Sequence, residues 1–84
     1  PFPLVTANLT ADLLLYLAQP LARVTSPGGR LVVSGLTGNR WKEVAARLCT
    51  LGFSVEEKWT SPSCSWVALL LRKRGEPDAA DISE

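Results

Sequence analysis

LVTANLTADLL, residues 4–14, is the stretch on which the fold turns. Its apolar start stops at Asn8, and the residues that follow suit a helix opening. The Thr10 hydroxyl can cap free amides, and the Asp12 carboxylate favours the positive end of a helix dipole. A strand over Leu4–Asn8 therefore runs straight into a helix. In open α/β sheets, ligands bind in the crevice beyond the carboxyl ends of the strands, so a polar side chain at such a junction stands where chemistry takes place. Asn8 is that side chain.

Working outward, the first helix is predicted over Ala11–Val24, with Leu14, Leu17, Leu21 and Val24 spaced three, four and three residues apart along one face. Pro20 lacks the amide that would bond to Tyr16 and crowds that carbonyl, which predicts either a kink there or a new helical turn starting at Pro20. Ser26-Pro27-Gly28-Gly29 then stops the helix and turns the chain. Arg30–Gly35, RLVVSG, is β-branched and without clean alternation, the pattern of a parallel strand buried on both faces. A second helix follows from Arg40, with Asn39 as cap and Gly52 beyond its end. Its apolar stripe is Trp41, Val44, Ala45 and Leu48.

Phe53–Trp59 alternates, with Phe53, Val55 and Trp59 on one face, Ser54, Glu56 and Lys58 on the other, and Glu57 out of place on the apolar side. Charges of this kind belong to an edge strand, where they discourage pairing with other molecules. Ser61–Cys64 makes a loop, and Ser65–Arg74 returns as a long strand whose WVALLL segment marks it as internal. Residues 75–84, acidic and almost without apolar side chains, are expected to form a disordered tail after a single domain over residues 1–74.

The order strand, helix, strand, helix, strand, strand gives two crossover units and a closing hairpin. Right-handed crossovers progressing in one direction put both helices on the same face and leave the other bare. Parallel sheets normally have both faces covered, and the first strand presents an apolar edge. A missing N-terminal half, a partner chain, or self-association is therefore expected over these surfaces.

Composition narrows the class. Of 84 residues, 46% are hydrophobic and 20% charged, which is globular. A domain of this size buries only about two-thirds of its unfolded surface, so its stability is thin. Nine basic and eight acidic residues leave a net charge of +1, too little field to attract nucleic acid or an anionic membrane. The apolar runs fall far short of the roughly 20 residues that span a bilayer, and the reading is a cytoplasmic protein without membrane contact. Cys49 and Cys64 lack metal-ligand spacing and there is no His, so neither metal nor disulfide is expected.

At LVTANLTADLLLYLA, SPGGRLVVSGL, LGFSVEEKW and SWVALLLRKR, residues 3–74 resemble the C-terminal half of a class I methyltransferase that uses S-adenosylmethionine. PGG before a strand and the closing hairpin are shared widely among these enzymes. ANLTAD, SGL and WVAL together resemble the PrmA group, the ribosomal protein L11 methyltransferases. The resemblance implies a partial Rossmann-like α/β sheet in which the final strand is inserted, antiparallel, between the second and third. It also implies transfer of methyl groups to lysine or N-terminal amines of a ribosomal protein. The family's glycine-rich loop and ribose-binding acid have no counterpart here, so the chain alone is expected neither to bind S-adenosylmethionine nor to be active. The alternative is a non-catalytic half-fold that serves as a pairing or dimerisation module.

Carried over residue by residue, the resemblance makes Asn8, Leu9 and Thr10 the catalytic segment, beside the cofactor's methyl group and the target amine. No cofactor contact beyond Asn8 is implied. Ser34 and Gly35, which end the neighbouring strand, are the substrate-binding candidates. Read from the residues alone, Asn8 and Thr10 serve equally as helix caps, and Ser34-Gly35 as an ordinary turn. Trp41, Trp59 and Trp66 are expected in core or hairpin packing, Arg72-Lys73-Arg74 as a solvated strand end, and Cys49 as a small core hydrophobe.

Overall fold

The computed structural model describes residues 1–63 and 65–75. Most of the expected tail and Cys64 lie outside them. The sequence reading of element order holds: β1 (Phe2–Asn8), α1 (Ala11–Tyr16), α2 (Ala18–Val24), β2 (Thr25–Leu36), α3 (Arg40–Thr50), β3 (Phe53–Thr60) and β4 (Val67–Lys73). The strands form one four-stranded sheet in the order β1-β2-β4-β3. β1 and β2 are parallel, with Val5 opposite Leu31 and Ala7 opposite Val33. β4 runs antiparallel to both its neighbours, β2 and β3, so the final strand is indeed inserted between the second and third.

Burial in the middle of β2 and β4 favours one side. Leu31, Val33, Leu69 and Leu71 have no exposed surface and pack with Leu14, Ala18, Ala22, Val44, Leu48 and Phe53 in one cluster. All three helices thus cover the same face. The residues between them, Val32 and Leu70, are only half-buried, and on the same open face Leu4 and Trp59 are 59% and 46% exposed.

Several local expectations are corrected. The first helix breaks at Leu17 rather than Pro20. The cause is still the ring: the missing Pro20 amide and the crowded Tyr16 carbonyl end α1 at Tyr16, and Pro20 falls in the first turn of α2, where an amide has no intrahelical partner to lose. After the break, Ala18 and Ala22 are the buried positions and Val24 is exposed, so small side chains bring α2 close to the sheet in place of the expected Leu17 and Val24.

β2 begins at Thr25, five residues earlier than expected, because Ser26–Gly29 form an irregularity within the strand, between the pairs Phe2–Thr25 and Leu4–Arg30. The close approach requires glycine at 29: a Cβ there would lie 2.9 Å from the Ser26 carbonyl oxygen and 3.0 Å from that of Pro3. β3 carries a second irregularity between Val55 and Glu57. The extra residue explains why alternation fails at Glu57, and it moves Trp59 to the open face, opposite Ala68, instead of beside Phe53 and Val55. Cys49 is exposed rather than in the core.

Two contacts tie the helices down. Arg40, at the start of α3, donates to Asp12 of α1 at 2.7 Å and to Glu43, and these two hydrogen bonds, Asp12 first, raise its pKa further. Asn39 occupies the cap position of α3 but makes no side-chain capping bond. At the opposite end of the sheet, Lys73 is not the solvated residue the sequence implied. It is half-buried, and its Nζ donates to the carbonyls of Ala22 at 2.6 Å and Thr25 at 2.9 Å. The Thr25 hydroxyl donates to the Leu21 carbonyl at 2.8 Å. The Leu21 carbonyl thus accepts from both the amide and the hydroxyl of Thr25, while Lys73 bonds the Ala22 carbonyl in the last turn of α2 and places a positive charge at its negative pole.

Lys73→Met is therefore expected to lower unfolding free energy by about 1–3 kcal/mol, the worth of charged hydrogen bonds lost to part-buried carbonyls. Urea denaturation checks this, and a midpoint equal to that of the parent chain contradicts it.

Candidate functional site

Because β1 and β2 are parallel and β4 is antiparallel, the carboxyl ends of the first two strands and the start of the fourth meet on one side of the sheet, with Leu36 opposite Val67. A crevice of ≈ 470 Å³ opens there, lined by Asn8, Ser34, Gly35, Thr37, Ser65 and Trp66. Its position agrees with the general location of ligand sites in open α/β sheets. Among the described residues, no acid, base or thiol lines it.

Register pairs Asn8 with Ser34, so the last residue of β1 and the SGL segment of β2 stand side by side. Gly35 has φ +89°, and a Cβ on it would lie 2.8 Å from Asn8 Oδ1 and 3.2 Å from the Leu9 carbonyl oxygen. The absence of a side chain at 35 is thus what admits the Asn8 carboxamide to the crevice. Asn8 is exposed, and among the described residues no hydrogen bond occupies its carboxamide. It lines an open crevice whose wall is largely apolar. An oxygen so placed accepts a hydrogen bond from a ligand N–H.

The other two members of the predicted catalytic segment are placed differently. Thr10 is the N-cap of α1: its backbone is extended, φ −66° and ψ 160°, and its Oγ1 accepts from the Leu13 amide at 3.3 Å. Leu9 is half-buried against the core cluster. Neither side chain lines the crevice, so of the sequence-predicted residues the structure brings together Asn8, Ser34 and Gly35.

Sequence reasoning missed Thr37, Ser65 and Trp66. Trp66 immediately precedes β4 and is 44% exposed in the crevice wall, not buried in the hairpin as expected. One signal was available: an antiparallel inserted strand must start where its parallel neighbours end, so the residue before its apolar run faces the ligand crevice. Trp41, by contrast, is half-buried on α3 and carries the Lys58 ammonium 4.1 Å from its ring centroid, a cation–π contact on the helix-covered face.

A family profile for ribosomal protein L11 methyltransferase (PrmA) matches residues 1–74. Among curated proteins, the chain is 39% identical over 72 residues to the ribosomal protein L11 methyltransferase of Desulfosudis oleivorans, covering 86% of this chain and 23% of that protein. It is 36% identical to that of Exiguobacterium sp., covering 86% of this chain and 22% of the relative. The chain thus spans less than a quarter of the length of these relatives. Among solved structures, the ribosomal protein L11 methylase of Lactobacillus delbrueckii subsp. bulgaricus superposes with a TM-score of 0.77 at 23% identity, over 87% of this chain and 37% of that one. The M1.HpyAVI–SAM complex superposes with a TM-score of 0.63 at 19% identity, over 84% and 44%. These two likenesses are of fold, a partial Rossmann-like methyltransferase sheet.

Gly35→Ala tests the close approach. Positive φ and the contact with Asn8 together predict a loss of about 1–3 kcal/mol in stability. Thermal unfolding reads the loss, and the NMR shifts of the Asn8 side-chain amide read the displacement of the carboxamide; a mutant unchanged in both contradicts the geometry.

Proposed function

The chain belongs to the ribosomal protein L11 methyltransferase (PrmA) family, and we propose that it forms the acceptor-side half of a protein methyltransferase domain. In this reading the full-length parent methylates lysine or N-terminal amines of a ribosomal protein. S-adenosylmethionine, the methyl donor, supplies an electrophilic methyl on a sulfonium sulfur. The fit of this chain to that donor is partial. Among the described residues the crevice has no carboxylate to hold a ribose diol, and Gly35 is taken up by the contact with Asn8. What the crevice offers instead is a neutral hydrogen-bond acceptor beside an aromatic wall.

That offer suits the other reactant. An amine that is to displace a sulfonium needs its lone pair held in line more than it needs a strong base. Asn8 Oδ1 accepts a hydrogen bond from the amine N–H and aims the lone pair. The Trp66 ring flanks the alkyl stem that carries the amine. The described lining residues supply no general base, so in this reading the proton that the amine sheds passes to water in the open crevice. Thr10 contributes by fixing the start of α1, and hence the position of Asn8, not by touching substrate.

The single observation that carries this reading is the unoccupied Asn8 carboxamide in a crevice that only a glycine at position 35 leaves open to it. A second reading, a non-catalytic pairing module, draws on the exposed Leu4 and Trp59 of the open sheet face. The two part at Asn8, which a pairing module does not need.

In the full-length parent, Asn8→Ala is expected to slow single-turnover methylation at saturating cofactor by roughly 30-fold to 1,000-fold, the loss of about 2–4 kcal/mol of orienting interaction in the transition state. Cofactor affinity and melting temperature should stay near the parental values. A mutant that melts earlier yet methylates at the parental rate makes Asn8 a structural residue and overturns the assignment.

A further inference from the structure

The turn between β3 and β4 is organised by one hydroxyl. Ser61 is buried, 7% exposed, and its Oγ accepts from the amide of Ser65 at 3.0 Å and from that of Trp66 at 3.3 Å. The Ser61 amide donates to the Trp66 carbonyl at 3.0 Å. Both backbone polar groups of Trp66 are thus held by a single residue. The hydroxyl's remaining capacity lies toward Ser65 Oγ at 3.3 Å and Ser63 Oγ at 3.4 Å, and those two oxygens are 2.8 Å apart. A hydroxyl has two lone pairs and one proton, and at Ser61 all three have partners within reach.

This saturation bears on the crevice. Trp66 and Ser65 line it, yet Trp66 precedes the first residue of β4 and its ring is nearly half exposed, so packing alone does not fix it. A large ring on an unpinned turn samples several rotamers, and ordering it on ligand binding costs affinity; a pinned turn avoids that cost. We propose that Ser61 is a positioning residue: through its two amide hydrogen bonds it holds Trp66 as a preformed wall of the crevice that Asn8 also lines, and so sets affinity for the methyl acceptor. The last clause rests on the reading of the crevice as the acceptor site, whereas the latch itself does not.

The latch is tested on this chain in a Trp41→Phe, Trp59→Phe background, where Trp66 is the only fluorophore of its kind. Ser61→Ala is expected to raise acrylamide quenching of Trp66 about twofold through local opening of the turn, with the far-ultraviolet circular dichroism unchanged. Ser61→Thr keeps the hydroxyl and is expected to restore parental quenching. Quenching that is equal in all three proteins overturns the latch, as does Ser61→Thr behaving like Ser61→Ala. In the full-length parent, Ser61→Ala is then expected to raise KM for the acceptor protein about fivefold while kcat changes little, since it removes preorganisation and not the orienting group. Raised quenching with an unmoved KM leaves the latch standing and overturns the crevice as the acceptor site.

Discussion

The pairing of β2 with β4 is the contact on which the molecule depends. Leu31 and Val33 meet Leu71 and Leu69 across it, and all four are fully buried under the helices. At roughly 1.5–3 kcal/mol for each such side chain, this ladder is a large part of what a small domain has to stabilise it. It also sets polarity. Because β4 runs against β2, its first residues meet the last residues of β2 on the side where β1 also ends, and the turn before it becomes a wall of the crevice. Site and core are thus two ends of one strand pair.

Much of this was legible in the residues. The apolar run that stops at Asn8, the β-branched run that stops at Ser34-Gly35 and the apolar WVALLL segment define three strands by composition alone. Right-handed crossover then puts the helices on one face, and the pairing of Asn8 with Ser34 follows from both strands ending at the same side of the sheet. The stripe of α3 needed only its spacing: Val44 and Leu48 are buried and Trp41 and Ala45 half-buried.

What was not legible depends on extra residues and on long-range partners. An unpaired residue near Glu56 reverses facing for the rest of β3, and nothing in FSVEEKWT marks where it sits beyond the misplaced Glu57. Ser26–Gly29 read as a turn and do turn, but inside a strand, because Pro3 of a different strand lies close enough to demand glycine at 29. Lys73 looked like one cation among three; its partners, Ala22 and Thr25, are some fifty positions away in sequence and are carbonyls that every residue possesses. Trp66 was assigned to packing because its neighbours are apolar, whereas its exposure is decided by where β4 begins.

The sense of β4 also settles how the molecule is tethered. Phe2 pairs with Thr25 and Lys73 with Phe53 at the pole of the sheet opposite the crevice, so both ends of the described chain leave from that pole. A fluorophore or surface linker attached beside Phe2 or Lys73 therefore sits at the pole away from the crevice. Attachment at that pole leaves the crevice mouth facing solution.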